Sequence, residues 1–266
     1  MKKIFKFLCI LLILFLFVAV LLLGYLGFIP GLSSLFGSNK PRDLGVAYSQ
    51  AEFNSARAKS QIEYDVLPST TPAEESLQTS GSRDVKTEFS SAEITALMND
   101  RPWRYWPYKD VQVKFHADGS GEISGVLIKE RLPGYGAKIA APKEAVDFAM
   151  KFLPSDPVFY VKMKASLAEN KVGVFDPQAF QIGRMPLPVD MFLSYIPKSL
   201  VTEVYAAQLD EMNTELSKVE NKREKIIEYI NQRLMTFPGF YARTARFEEN
   251  KLIFEGTLPE KESTVR

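Results

Sequence analysis

Cysteine and histidine are almost absent from this sequence, which has one of each in 266 residues, Cys9 and His116. A single cysteine excludes a disulfide framework, and the pair excludes a zinc site with several His or Cys ligands. A Ser-His-Asp triad would depend on His116, which we expect to be exposed on the polar face of a strand. A glycine-rich phosphate loop is also missing. We therefore predict no metal, no cofactor and no enzymatic activity.

A large excess of charge of one sign is missing as well, since the formal net charge is +1. Lys2, Lys3 and Lys6 precede the first apolar segment, and no acidic residue occurs before Asp43. Without these lysines the acidic and basic side chains nearly balance, so the rest of the chain has no global field that attracts phosphate backbones. Nucleic acid is therefore not an expected partner.

Charged residues are completely absent from Phe7 to Phe28. A helix of this length covers roughly 33 Å, about the thickness of a bilayer hydrocarbon core. The run therefore predicts that residues 1–32 form a basic tip and a transmembrane anchor. The preceding lysines predict a single-pass protein of the cell membrane, with a cytoplasmic N-terminus and an extracytoplasmic bulk. The alternative is a cleaved signal peptide, although its apolar region is usually shorter.

Residues 33–84 are interpreted as a spacer before a compact domain at 85–266. The spacer contains a short helix at 49–60 and a stretch, 66–84, whose Ser, Thr, Pro and Glu content predicts a disordered linker. Ser49 with Glu52, and Ser90 with Glu93, have the spacing of a capping box. These are either two related docking helices or two ordinary helix starts, and the sequence leaves open whether 48–62 docks on the domain.

Alternating apolar residues and turn signals predict three antiparallel hairpins in the compact domain. They span 111–129, 158–182 and 241–258, with a helix after Pro142. A longer helical pattern covers 189–237, with a bend near Pro197 and an apolar stripe over 201–234. The predicted fold class is α+β, an antiparallel β-meander sheet packed on this long helix.

The segment at 180–189, FQIGRMPLPV, resembles the YpmS family of membrane-anchored bacterial proteins of undetermined activity. There too, a strand ends in Gly-basic-apolar-x-Pro and continues into an apolar helix, here MFLSYI at 191–196. The order of elements is similar over residues 85–260, whereas the segment 33–84 and the charged helix at 200–235 depart from the pattern. The resemblance implies a sheet wrapped on a helix, similar to tubular lipid-binding folds.

Two functional hypotheses follow, and both concern binding. The first is a groove between sheet and helix that holds a lipid or another apolar ligand, with the lining residues Phe148, Phe152, Phe159, Phe175, Phe180, Phe192 and Ile196. The second is a cell-envelope interaction protein that binds peptidoglycan, a protein partner or a second copy through the long helix and an aromatic segment. That segment holds both tryptophans, and its interface candidates are Trp103, Tyr105, Trp106 and Tyr108. Its rings suit membrane or glycan contact, or they pack over the end of the sheet.

Overall fold

A computed structural model describes residues 2–139, 141, 143–188 and 222–266. The described residues form an α+β fold with a curled antiparallel sheet. Its helices are α1 (Lys2–Tyr25), α2 (Pro30–Leu35), α3 (Gln50–Ser60), α4 (Ser91–Asn99), α5 (Leu132–Lys138), α6 (Lys143–Phe152) and α7 (Lys222–Thr236). Its strands are β1 (Glu63–Val66), β2 (Leu77–Ser80), β3 (Arg83–Ser90), β4 (Tyr108–Phe115), β5 (Ser120–Leu127), β6 (Val158–Ala168), β7 (Lys171–Ile182), β8 (Met185–Pro186), β9 (Tyr241–Glu248), β10 (Lys251–Leu258) and β11 (Lys261–Thr264).

The large sheet has eight strands and branches at β6. One edge of β6 pairs with β7 along its length, and β7 pairs in turn with the short β8. The other edge pairs with β5 through residues 158–164 and with β9 through residues 166–168. The hairpin β4–β5 and the unit β3–β10–β9 therefore leave β6 in different directions, which gives the sheet its curl. The core lies inside this curl.

The three predicted hairpins are confirmed as β4–β5, β6–β7 and β9–β10. Each turns at the residues that the sequence indicates. Gly119, Asn170 and Asn250 all have positive φ, a backbone conformation that Gly and Asn adopt more readily than most residues. The helix predicted after Pro142 is present as α6.

A second sheet of three strands, in the order β1–β11–β2, was not predicted. Strand β11 lies in the middle, parallel to β1 and antiparallel to β2. The stretch 66–84, predicted as a disordered linker, contains β2, the start of β3 and a 3-10 turn at Ala73–Glu75. Its polar residues pair with a strand about 180 residues later, and no local sequence pattern contains that information.

Helix α4 covers the edge strand β4 with a stripe of polar side chains. Four helical residues rise about 6 Å, close to the roughly 6.8 Å between alternate residues of a strand. Side chains four residues apart on α4 can therefore meet successive outward N–H groups of β4, which leaves that edge protected against other chains. The bonds run from Phe115 N to Ser91 Oγ (3.1 Å), from Val113 N to Thr95 Oγ1 (2.9 Å) and from Val111 N to Asn99 Oδ1 (2.8 Å).

The prediction of a transmembrane anchor is wrong. Within the described part of the chain, no helix is both long and apolar enough to cross a membrane. The uncharged run extends to Phe28, but α1 ends at Tyr25 because the chain turns at Gly27, whose φ is +99°. The helix end is fixed by hydrogen bonds from the hydroxyls of Ser33 and Ser38 to the Gly24 carbonyl, each 3.0 Å. Most side chains described on α1 are apolar and exposed.

The long helix predicted at 189–237 lies largely outside the described residues. Its described end is α7, which packs against β7. Asn231 Oδ1 accepts a hydrogen bond from Val172 N at 2.7 Å, and the Leu234 carbonyl accepts one from the Asn170 amide at 3.3 Å. The predicted bend at Pro197 and most of the stripe 201–234 fall on residues that the structure does not describe.

Candidate ligand-binding cavity

Helix α3 docks on α4 through Glu93, the acidic residue of the second capping box. The Glu93 carboxylate accepts hydrogen bonds from the Ser90 N–H within its own helix start and from Ser55 Oγ and Lys59 Nζ of α3, at 2.7, 2.5 and 2.8 Å. Burial of this carboxylate opposes its ionisation, but these hydrogen bonds outweigh burial and hold its pKa below the usual value. The segment 48–62 therefore docks on the domain, and Ala56 of α3 is completely buried in the core beside Val85.

An apolar cavity of about 270 Å³ lies between these two helices and the two sheets. An apolar cavity of about 150 Å³ is large enough for a benzene molecule, so this one suits a ligand of about ten non-hydrogen atoms. We call it the Glu262 cavity. Its walls come from α3 and β1, from β3 and α4, and from the C-terminal strands. The lining residues are Phe53, Ser60, Ile62, Tyr64, Phe89, Ile94, Leu97, Arg101, Pro102, Phe240, Leu252, Phe254, Leu258 and Glu262.

Arg101 and Glu262, two of the polar lining residues, form an ion pair. Arg101 Nη2 lies 2.6 Å from Glu262 Oε2. Glu262 is 7% exposed. Its second oxygen, Oε1, and the Arg101 Nε atom are both buried, and neither has a hydrogen-bond partner in the described part of the chain. A buried polar group without a partner costs about 1–3 kcal/mol, so such groups in a native structure require an explanation.

Tyr64 is a third polar lining residue, and it lies opposite Glu262 in the pairing of β1 with β11. Burial raises the pKa of its hydroxyl, and the negative charge of Glu262 raises it further. The hydroxyl is therefore protonated at neutral pH and has a proton to donate. The guanidinium of Arg57 lies over the Tyr64 ring, 4.5 Å from its centroid, and holds the ring from the α3 side.

A second cavity, of about 390 Å³, is formed on the outer side of α3. Its volume is larger, but it is a surface depression lined by polar and exposed residues such as Asn54, Gln61 and Glu63. Ligand sites are mostly apolar and bury most of the ligand surface. The Glu262 cavity meets this description better, in spite of its smaller volume.

The aromatic segment packs into the body of the protein. Trp103 is 3% exposed, and its Nε1 donates a 3.1 Å hydrogen bond to Ser76 Oγ. Trp106 Nε1 donates to the Met98 carbonyl at 2.6 Å, and the Tyr108 ring contacts both Trp106 and Phe159. Tyr105 is half-buried against Trp103. These rings have partners within the fold, and an interface role for them stays a prediction.

The structure does not bring the predicted groove residues together at the cavity. Phe148 and Phe152 are exposed on α6, with ring centroids 4.7 Å apart, and Phe159 packs beside Tyr108. Phe175 and Phe180 are half-buried on β7. None of these five lines the Glu262 cavity. The remaining two candidates, Phe192 and Ile196, lie outside the described residues.

His116 belongs to a polar cluster on the other face of the sheet. It is half-buried rather than exposed, with 28% of its side chain accessible, because Glu122 of β5 lies beside it. The His116 Nε2 atom is 3.0 Å from Glu122 Oε1 but lacks hydrogen-bond geometry. Burial opposes ionisation of Glu122, but hydrogen bonds from Lys162 and Tyr160 outweigh it and lower the pKa. The described residues contain no group of three metal-binding side chains.

Sequence reasoning missed the cavity because its walls are contributed by separate parts of the chain. The repeated capping box was the one available signal, since it places both α3 and α4. Nothing in the local sequence distinguishes Glu262 from other surface glutamates. Comparisons with protein-family models, characterised proteins and solved structures gave no match. The resemblance to the YpmS family therefore stays a prediction.

Proposed function

We propose that this protein is a non-catalytic binding module that holds a small apolar ligand in the Glu262 cavity. The observation that carries the proposal is an apolar space of about 270 Å³ between helices and sheets. Well-packed cores contain few voids larger than a water molecule. A lipid or another apolar ligand is also the class that the sequence favours, and the size suits a short chain.

Helix α3 forms one wall of the cavity. Phe53, Ser60 and Ile62 belong to α3 or follow it directly. The helix is fixed mainly by the buried Ala56 and by the bonds to Glu93. A fragment that begins at residue 85 would lack this wall. The ligand must therefore be sought with the full chain.

The test is isothermal titration calorimetry of the full chain with n-butylbenzene, an apolar molecule without a head group. We expect saturable binding at one site, with a negative heat-capacity change because apolar surface is buried. The variant Ile62→Trp fills the cavity and should abolish this binding. Val66→Trp is the matched control, because Val66 is exposed in β1 and does not line the cavity.

The results separate the alternatives clearly. Binding that survives Ile62→Trp, or that Val66→Trp removes equally, would assign the probe to another place on the surface. Absence of any heat at concentrations near the solubility limit would contradict the proposed function.

A further inference from the structure

Arg57 of α3 lies beside both the Glu262 cavity and the surface depression on the outer side of that helix, which we call the outer depression. Its guanidinium lies over the rings of Tyr64 and Phe53, 4.5 and 5.8 Å from their centroids, and both rings line the Glu262 cavity. Arg57 itself lines the outer depression, and Ile62 lines both spaces. The two spaces are therefore neighbours that share Ile62 as a wall.

The Arg57 side chain can bind an anion because its hydrogen-bond donors are unused. A guanidinium has five N–H groups in a planar fork, which fits a carboxylate through two parallel hydrogen bonds. Within the described part of the chain, the Arg57 side chain contacts two rings but has no hydrogen bond and no ion pair. It is half-buried and lines the outer depression, so a group in that depression can contact it.

The charges around the outer depression favour an anion over a cation. Arg83 is a second guanidinium at the rim, where its Nη1 donates a 3.0 Å hydrogen bond to the carbonyl of Gln61, a lining residue. Glu63 is the acidic residue of the lining, and it is exposed, so water and salt screen its charge. The half-buried Arg57 is screened less, and it therefore attracts a carboxylate more strongly than Glu63 repels it.

We propose that the ligand is an anionic amphipath, whose apolar body occupies the Glu262 cavity and whose carboxylate passes Ile62 and binds Arg57 in the outer depression. This inference rests on the proposed function and specifies its ligand class. The arrangement keeps the charged head at the surface, so no charge has to be transferred into the apolar space, which would be costly.

Isothermal titration calorimetry of the full chain with three probes of similar size tests the head group. The probe 4-phenylbutyrate is an anion, 4-phenylbutanamide is its neutral isostere, and 4-phenylbutylammonium is a cation. We expect 4-phenylbutyrate to bind about tenfold or more tightly than the amide, because hydrogen bonds between charged groups are stronger than those to a neutral acceptor. The cation should bind more weakly than the amide, since Arg57 repels it. The headless n-butylbenzene should compete with 4-phenylbutyrate for the cavity.

Substitutions in the outer depression test the part played by Arg57. Arg57→Gln should reduce the preference for 4-phenylbutyrate over the amide to about twofold or less, and should change the affinity for n-butylbenzene by a smaller factor. Arg57→Lys keeps the charge but loses the planar fork, so it should retain part of the preference. Glu63→Gln should increase the preference, because a repelling charge is gone. Arg246→Gln is the matched control, since Arg246 is exposed and lines neither space.

The outcomes distinguish this inference from the proposed function. Equal binding of the three probes, tightest binding of the cation, or a preference that survives Arg57→Gln would overturn the head-group assignment and leave the apolar cavity as a binding site. Simultaneous binding of 4-phenylbutyrate and n-butylbenzene would overturn it too, because the anion would then have a separate site. No binding of any probe, n-butylbenzene included, would overturn both. If Arg57→Gln does not fold, Arg57→Lys and the three affinities of the unmodified chain decide the matter.

Discussion

Helix α4 faces strand β4 on one side and the Glu262 cavity on the other. Towards β4, the side chains of Ser91, Thr95 and Asn99 each accept a hydrogen bond from the strand backbone. Towards the cavity, Ile94 and Leu97 are apolar. The polar side chains on one side of this helix thus bond to the strand, and the apolar side chains on the other side line the cavity.

Truncation of Asn99, on the β4 side of α4, should destabilise the protein more than the other substitutions considered below. Its side chain bonds both the N–H and the carbonyl of Val111 at 2.8 Å. We expect Asn99→Ala to lower the free energy of unfolding by about 2–4 kcal/mol, because two buried backbone groups lose their partners. Urea denaturation measures this. Asn54→Ala on the exposed face of α3 is the control and should cost less than about 0.5 kcal/mol.

Substitution of Glu93, which joins α3 to α4, should cause an intermediate loss of stability. In Glu93→Gln the amide nitrogen faces donors, and we expect a loss of about 1–3 kcal/mol in stability. The folded pKa of Glu93 lies below its ordinary value of 4.5. The stabilisation is therefore present in full above pH 4.5 and is lost as the pH falls further, through the lowered pKa.

The difference in stability between the unmodified chain and Glu93→Gln should accordingly be constant above pH 4.5 and decrease below it. Denaturation series at several pH values measure the difference. Glu52→Gln changes the equivalent residue of the first capping box, which is more accessible than Glu93, and should have a much smaller effect. A difference that stays constant down to the acid transition would mean that Glu93 is not ionised in the folded protein.

The smallest losses of stability are expected at the two capping serines. One serine caps an exposed helix start and the other a half-buried one. Ser49 caps α3 at the surface, and Ser90 caps α4 beside the buried Glu93. We expect Ser49→Ala to cost about 0.5–1 kcal/mol and Ser90→Ala about 1–2 kcal/mol. Thermal unfolding of both variants measures the order. Equal costs would show that the Glu93 bonds do not depend on the Ser90 cap.

Features whose signals lie within about ten residues could be predicted from the sequence. The three hairpins and both capping boxes belong to this class, because turn residues and strand alternation act locally. The small sheet could not be predicted, since β1 and β2 meet only through β11. The cavity could not be predicted for the same reason. The transmembrane prediction rested on the uncharged run alone, and no helix in the described part of the chain qualifies as a membrane span.

The position of β11 between β1 and β2 has a consequence for biosynthesis. Both early strands bond to β11 and not to each other, so they remain unpaired until residues 261–264 have been synthesised. Contacts between such distant residues form slowly. The ion pair of Arg101 with Glu262 is completed in the same step. The large sheet also needs β9 and β10, so both sheets can be completed only after residues 241–264 have been synthesised.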